Sequence, residues 1–212
     1  EPVEEIVSRN LFQILGKLYP GAILSHRSAF EFKPTKAGHI FLTYTYTKKV
    51  TLAGITLRFL EGHKPIEGDN PISGELYASQ KPRAFLENLQ LSKNTGPTSK
   101  CLTLSEIEEK LEQIIRVNGK EEINKVRDSA KAIASKLKME KEFKRLNKMI
   151  SALLSTHTSK ILSSPLAIAR AFGAPYDPGR MKLFEELFRE LQKREFKNRP
   201  DRNTTAKSFR NF

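Results

Sequence analysis

Apolar residues near the start of the chain recur at helical spacing. The residues that fall mostly on one helical face are Val3, Ile6, Val7, Phe12, Ile14, Leu15 and Leu18. This spacing predicts a helix over residues 3–19. The sequence Tyr19-Pro20-Gly21 is expected to end it.

After a short predicted helix at residues 25–30, the period of the pattern changes to two. Strands are predicted at residues 39–45, 50–52, 55–60 and 75–78. These segments are rich in β-branched and aromatic residues, which favour strands. Lys48 and Lys49 are predicted to lie where the first hairpin turns. A helix over residues 81–89 is expected to close this part of the chain.

The remaining sequence predicts helices, preceded by a polar, turn-rich segment at residues 92–100 that is typical of a linker. Thr103-Leu104-Ser105-Glu106 is a capping box, which marks a helix start. Helices are predicted at residues 103–118, 121–137, 140–155, 165–172 and 179–193. Asn118 and Gly119 are expected to separate the first two.

This order of elements predicts an α+β protein, in which a small N-terminal unit of mixed helix and antiparallel sheet is followed by an all-helical unit. The predicted domains are an α+β domain at 1–91, a linker at 92–102 and a helical domain at 103–193. A basic tail at 194–212 is expected to lead into a missing domain.

The positive charge is concentrated towards the C-terminus. The formal net charge of the 212 residues is +13, and residues 138–212 contain 17 Lys and Arg against 8 Asp and Glu. Such asymmetry predicts an anionic partner, most often nucleic acid.

Seven basic residues are candidates for contact with nucleic acid. They are Arg27, Lys48, Lys49, Lys141, Lys144, Arg145 and Lys148. All of them except Arg27 also fit an ordinary solvated surface. The aromatic residue of the predicted helix at 140–155, Phe143, belongs to its predicted apolar face and not to its basic faces, which favours phosphate contact over base stacking.

The sequence indicates a cytoplasmic protein with no membrane partner. No apolar run approaches the roughly 18–20 residues that span a bilayer, and residues 1–5 are acidic, unlike a signal peptide. The single Cys101 fits a reducing compartment.

Motifs for metal or nucleotide binding are absent. The four His residues have no metal-ligand spacing, and neither glycine-rich phosphate motif occurs. No cofactor and no metal are therefore predicted. A metal-dependent nuclease is a third choice of function, with Asp69 and Glu75 around a turn as ligands, although loop solvation explains these two acids equally well.

Several stretches resemble known proteins. Residues 18–29 (LYPGAILSHRSA), 38–43 (GHIFLT) and 77–89 (YASQKPRAFLENL) resemble the part of AbiEi-type antitoxins and related transcriptional regulators that follows their winged helix. Residues 150–157 (ISALLSTH) and 163–173 (SSPLAIARAFG), followed by Pro175-Tyr176-Asp177-Pro178, are similar to the region before the catalytic domain in a group of bacterial Fic-family proteins. Those proteins join an AbiEi-like front half to a Fic domain.

The chain departs from these families at their functional motifs. The Fic loop H-P-F-x-[DE]-G-N-G-R is absent, so no catalytic residue carries over. The inhibitory motif [ST]-x-x-x-E-[GN] fails because Arg83 and Leu57 occupy the required Ser or Thr positions. The winged helix is missing or truncated.

The resemblance implies the non-catalytic regulatory or targeting region of a Fic-family AMP-transferring protein, in a toxin–antitoxin or phage-defence setting. Its partner would be a Fic catalytic domain in cis or another protein. The alternative is a stand-alone DNA-binding transcriptional regulator or antitoxin of AbiEi type.

Overall fold

The computed structural model describes residues 2–154, 162, 164–171, 183, 186–187 and 189–190. The chain divides into two compact units, residues 1–174 and 175–212. In the second unit, the described residues are helical and fall within the helix predicted at 179–193. The predicted tail at 194–212 lies outside the described residues.

The first unit contains helices and strands in an order that confirms the α+β class. The helices are α1 Val3–Arg9, α2 Leu11–Leu18, α3 Ser28–Glu31, α4 Lys81–Asn88, α5 Leu104–Ala134, α6 Glu140–Leu154 and α7 Pro165–Ala171, with a 3₁₀ turn at Gly96–Thr98. The strands are β1 Ile23–Leu24, β2 His39–Tyr44, β3 Lys48–Leu52, β4 Ile55–Glu61, β5 Asn70–Ser73 and β6 Leu76–Ala78.

The six strands form one sheet in the order β3-β4-β2-β1-β6-β5. The sheet is mixed and not antiparallel as predicted, because β2 pairs with β4 and β1 with β6 in parallel. After β2 the chain crosses to the edge strand β3 and returns as β4 between them. An alternating apolar pattern is the same for either pairing direction, so it cannot distinguish them.

One predicted helix is divided in the structure, and one predicted break between two helices is present. The expected helix at residues 3–19 is interrupted at Asn10, whose side-chain amide donates to the Ile6 carbonyl at 2.9 Å. The expected helices at 103–118 and 121–137 both lie within α5, and the backbone between them is non-helical at Gly119, with φ 85° and ψ 178°. The predicted separation of the two helices at Asn118 and Gly119 is therefore present.

The core has two parts, and α4 contributes to one of them with its apolar face. Leu15, Leu42 and Phe59 belong to the core between α2 and the sheet. Phe85 and Leu86 of α4 belong to the core formed with α5, α6 and α7. The apolar residues of α4 thus belong to the helical part of the core.

The predicted linker packs against the fold. Cys101 and Leu102 are buried, and the Leu102 N–H donates to the Asn88 side-chain oxygen at 2.8 Å. The predicted capping box is present, since Thr103 Oγ1 accepts from the Glu106 N–H at 3.2 Å and the Glu106 carboxylate accepts from the Thr103 N–H at 2.7 Å. The division into domains at 1–91 and 103–193 stays a prediction.

Within the described part of the chain, every helix is too short or too polar to cross a membrane.

Candidate nucleic-acid interface

Four basic side chains share one face of α6. Lys141, Lys144, Arg145 and Lys148 are exposed and spaced i, i+3, i+4 and i+7. At 3.6 residues per turn, this spacing places them within an arc of about 100°. The opposite face of α6 is buried in the helical core. α6 is therefore oriented by its apolar residues so that its basic face points to solvent.

Within the described ranges, none of these four side chains forms an ion pair. The acidic residues of α6, Glu140 and Glu142, lie in its first turn and outside the basic arc. The three lysines span about 10 Å at 1.5 Å per residue, which is about three nucleotide steps of B-DNA.

Arg145 differs from the lysines because it is partly held by the fold. Its Nη1 donates to the Leu89 carbonyl at 2.8 Å, at the C-terminal end of α4. This bond attaches α6 to α4 and leaves the rest of the guanidinium facing a cleft.

The cleft has a volume of about 770 Å³ and continues the basic face of α6. In the described part of the chain, its charged lining residues are Arg27, Glu31, Lys33, Lys36, Glu106 and Arg145. Four of them are basic and two acidic, so the cleft has a positive excess. The fold thus brings together Arg27 and Arg145, which are far apart in the sequence.

The guanidinium of Arg27 is hydrogen-bonded to other parts of the fold. It donates to Glu31 Oε1 at 3.0 and 3.2 Å and to the Gly96 carbonyl at 2.9 Å. A Glu106 carboxylate oxygen lies 3.8 Å away. These contacts join α3 to the connecting segment and to α5. Contact between Arg27 and nucleic acid stays a prediction.

Lys48 and Lys49 are the first residues of β3 and not a hairpin turn. The turn between β3 and β4 is instead formed by Ala53 and Gly54, whose φ angles of 43° and 79° suit a two-residue hairpin loop. Both lysines are exposed on an edge strand, where charge opposes pairing with another sheet edge. They do not line the cleft.

The two metal ligands considered for a nuclease, Asp69 and Glu75, lie in different environments. Asp69 is buried, and its carboxylate accepts from the backbone N–H groups of Ile66 at 2.9 Å and Gln80 at 3.0 Å. Glu75 is exposed in the turn before β6. The described residues contain no group of three His, Cys, Asp or Glu that could hold a metal ion. The geometry therefore gives the nuclease alternative no support.

A buried ionic cluster around Arg83 was not predicted from the sequence. Arg83 is 1% exposed, and its guanidinium pairs with Asp69 and with Glu87 Oε1, the latter at 2.8 Å. Glu87 Oε2 accepts from Ser79 Oγ at 2.8 Å and from the His26 N–H at 3.1 Å. The spacing of Arg83 and Glu87 by four positions was the only local signal for this cluster.

His26, which directly precedes the N-cap of α3, belongs to this cluster. It is 4% exposed with φ 52°, and its ring nitrogens contact Ser25 Oγ at 3.0 Å and Gln90 Oε1 at 3.2 Å. Burial lowers the pKa of His26, although the Glu87 carboxylate acts in the opposite direction. The ring is therefore neutral near pH 7 and has a structural role.

Burial raises the pKa of the Cys101 thiol to about 11. The thiol is thus protonated at neutral pH, which makes it a poor nucleophile.

No protein-family model, no curated protein and no solved structure matches this chain.

Proposed function

We propose that this chain is a nucleic-acid-binding module that contacts the phosphate backbone through the basic face of α6. The observation that carries the proposal is the arrangement of Lys141, Lys144 and Lys148 on one exposed helix face without ion pairs in the described ranges. Such a face offers point charges to phosphates without first breaking an internal salt bridge.

The cleft beside Arg145 supports this proposal. Lys33 and Lys36 are exposed at its edge, so the positive surface extends from α6 towards the segment after α3. A surface that extends beyond one helix can follow a backbone over several phosphates.

The test is the salt dependence of binding to a fluorescently labelled DNA duplex of mixed sequence, measured by anisotropy. The variant in which Lys141, Lys144 and Lys148 are all replaced by Gln should bind with a weaker dependence on salt. The steepness of log affinity against log salt should decrease by about 0.9 for each phosphate contact that is lost. The matched control replaces three exposed lysines of α5, Lys120, Lys125 and Lys131, by Gln, with the same change in net charge.

The proposal predicts that the α6 variant loses most of its affinity, while the α5 variant binds nearly as the unmodified chain does. Equal losses in the two variants would show that only net charge matters and would refute the proposal, as would absence of binding at low salt. Each lysine change should alter the free energy of unfolding by less than about 0.5 kcal/mol, because the sites are exposed.

The wider setting proposed from the sequence is regulatory and cytoplasmic. A regulatory region of a Fic-family protein and a stand-alone AbiEi-type regulator both accommodate a phosphate-binding face. The intact mass of the native gene product distinguishes them, since a mass well above 24.1 kDa favours an attached catalytic domain. A mass near that value favours the stand-alone regulator.

A further inference from the structure

A second pocket, of about 380 Å³, lies among α3, the start of α4 and the middle of α5. It shares no lining residue with the cleft beside Arg145. Its volume is within the range of small-molecule sites, which is about 300–1,000 Å³.

One wall of this pocket is aromatic and fixed in place. The rings of Phe30 and Phe85 are 4.9 Å apart at 58°, and Phe85 is fully buried. Phe32 is 47% exposed, and its ring packs edge-on against Phe12 with centroids 6.3 Å apart. The pocket therefore offers a preformed surface against which a flat apolar group can pack.

Among the described residues that line the pocket, the charged ones are all of one sign. They are Lys81 of α4 and Lys110 of α5, and no described Asp or Glu lines the pocket. Neither lysine forms an ion pair with a residue in the described ranges. Lys110 Nζ lies 4.9 Å from the centroid of the Phe30 ring, so this amine stands directly against the aromatic wall.

The remaining polar groups are neutral. Asn70, Gln113 and Asn118 contribute amides, and Ser79 contributes a hydroxyl that already donates to Glu87. These groups can hydrogen-bond a ligand but do not neutralise the two lysines.

From this chemistry we propose that the pocket binds an aromatic monocarboxylate. The ring of the ligand packs against Phe30 and Phe32, and its carboxylate lies within reach of Lys81 and Lys110. The site is separate from the α6 face, and its ligand binds independently of nucleic acid.

The experiment is calorimetric titration of the full 212-residue chain with 2-naphthoate and with its neutral analogue 2-naphthamide. We expect naphthoate to bind about tenfold more tightly than the amide. Lys81→Gln and Lys110→Gln should each weaken naphthoate binding roughly threefold to fivefold, as expected for partly exposed ion pairs. Neither substitution should change the affinity for the amide.

Two further variants complete the test. Lys131→Gln, on α5 but outside the pocket lining, should leave both affinities unchanged. Phe32→Ala should weaken both ligands because it removes the exposed part of the aromatic wall. Thermal unfolding of each variant establishes that it is folded.

Absence of saturable naphthoate binding would overturn the proposal. Equal affinity for naphthoate and naphthamide would also overturn it, as would an equal effect of Lys131→Gln and Lys110→Gln. The variant with Lys141, Lys144 and Lys148 replaced by Gln should bind naphthoate as the unmodified chain does. Failure of the naphthoate site can therefore be distinguished from failure of the phosphate-binding proposal.

Discussion

On α6, Lys141, Lys144 and Lys148 are exposed and form no ion pair with described residues, whereas on α4 Arg83 and Glu87 are almost completely buried and paired with each other. Both sets lie on amphipathic helices. The difference arises from what packs against each helix. α6 buries one face and leaves its charges in water, while α4 packs against α5 and α6 and is buried along almost its whole length.

The comparison shows that a charged residue can serve the fold or a partner, depending on whether its counter-charge is supplied internally. An exposed lysine keeps its hydration, so its charge does not destabilise the fold, and it is available to bind an anion. A buried arginine must be paired because an uncompensated charge in the interior is strongly unfavourable.

The largest expected effect is that of removing the buried cation. Arg83→Met leaves the Asp69 and Glu87 carboxylates buried without their partner and should lower the free energy of unfolding by about 3–5 kcal/mol. Urea unfolding measures this. The control is Lys125→Met, which removes an exposed pair with Glu122 and should change stability by less than about 1 kcal/mol. A loss below about 1 kcal/mol for Arg83→Met would show that the cluster is not a stabilising feature.

The next effect concerns the pH dependence of stability through His26. Its pKa in the folded chain lies below 6.5, so the unfolded chain binds more protons and stability falls as pH falls below about 6.5 towards the folded-state pKa. The slope is at most about 1.4 kcal/mol per pH unit for one group. His26→Asn should reduce this slope in urea unfolding at several pH values.

His39 contributes in the same direction, because burial and then the charges of Arg58 and Lys49 lower its pKa. His39→Asn alone should therefore leave the part of the slope that belongs to His26. An unchanged slope in His26→Asn would contradict the structural role assigned to this ring.

The smallest effect concerns Arg145, which is exposed like the α6 lysines but is also hydrogen-bonded within the fold like Arg83. Arg145→Lys keeps the positive charge of the α6 face but loses the hydrogen bond to the Leu89 carbonyl. Stability should fall by about 1 kcal/mol, while affinity for the DNA duplex changes by less than twofold to threefold. Unfolding and anisotropy measured on the same preparation separate the two outcomes. A large loss of affinity would assign Arg145 a bidentate phosphate contact that lysine cannot replace.

Local pattern was sufficient for most elements of the first unit. Four features lie close to their predicted positions: β2, β4, α6 and the capping box at Thr103. Each depends on side-chain spacing within a few residues. The basic face of α6 was also visible, since four basic residues occur within eight positions of one helix.

Long-range features were not visible in this way. Arg27 was predicted to contact nucleic acid, yet its carbonyl partners at Gly96 and Ser99 and its neighbour Glu106 come from distant segments. Lys48 and Lys49 were assigned to a turn because they stand between the strands predicted at 39–45 and 50–52. The residues that form the turn are Ala53 and Gly54, whose positive φ angles depend on the pairing of β3 with β4.

The sequence by itself determined the α+β class, the amphipathic character of α6 and the excess of positive charge, because these follow from composition and from spacing along one element. Only the tertiary structure decided the parallel pairing of β2 with β4, the burial of Arg83 beside Asp69, and the meeting of Lys81 and Lys110 at one aromatic pocket. Those features join residues far apart in the chain, and their geometry is set by how the sheet and helices pack together.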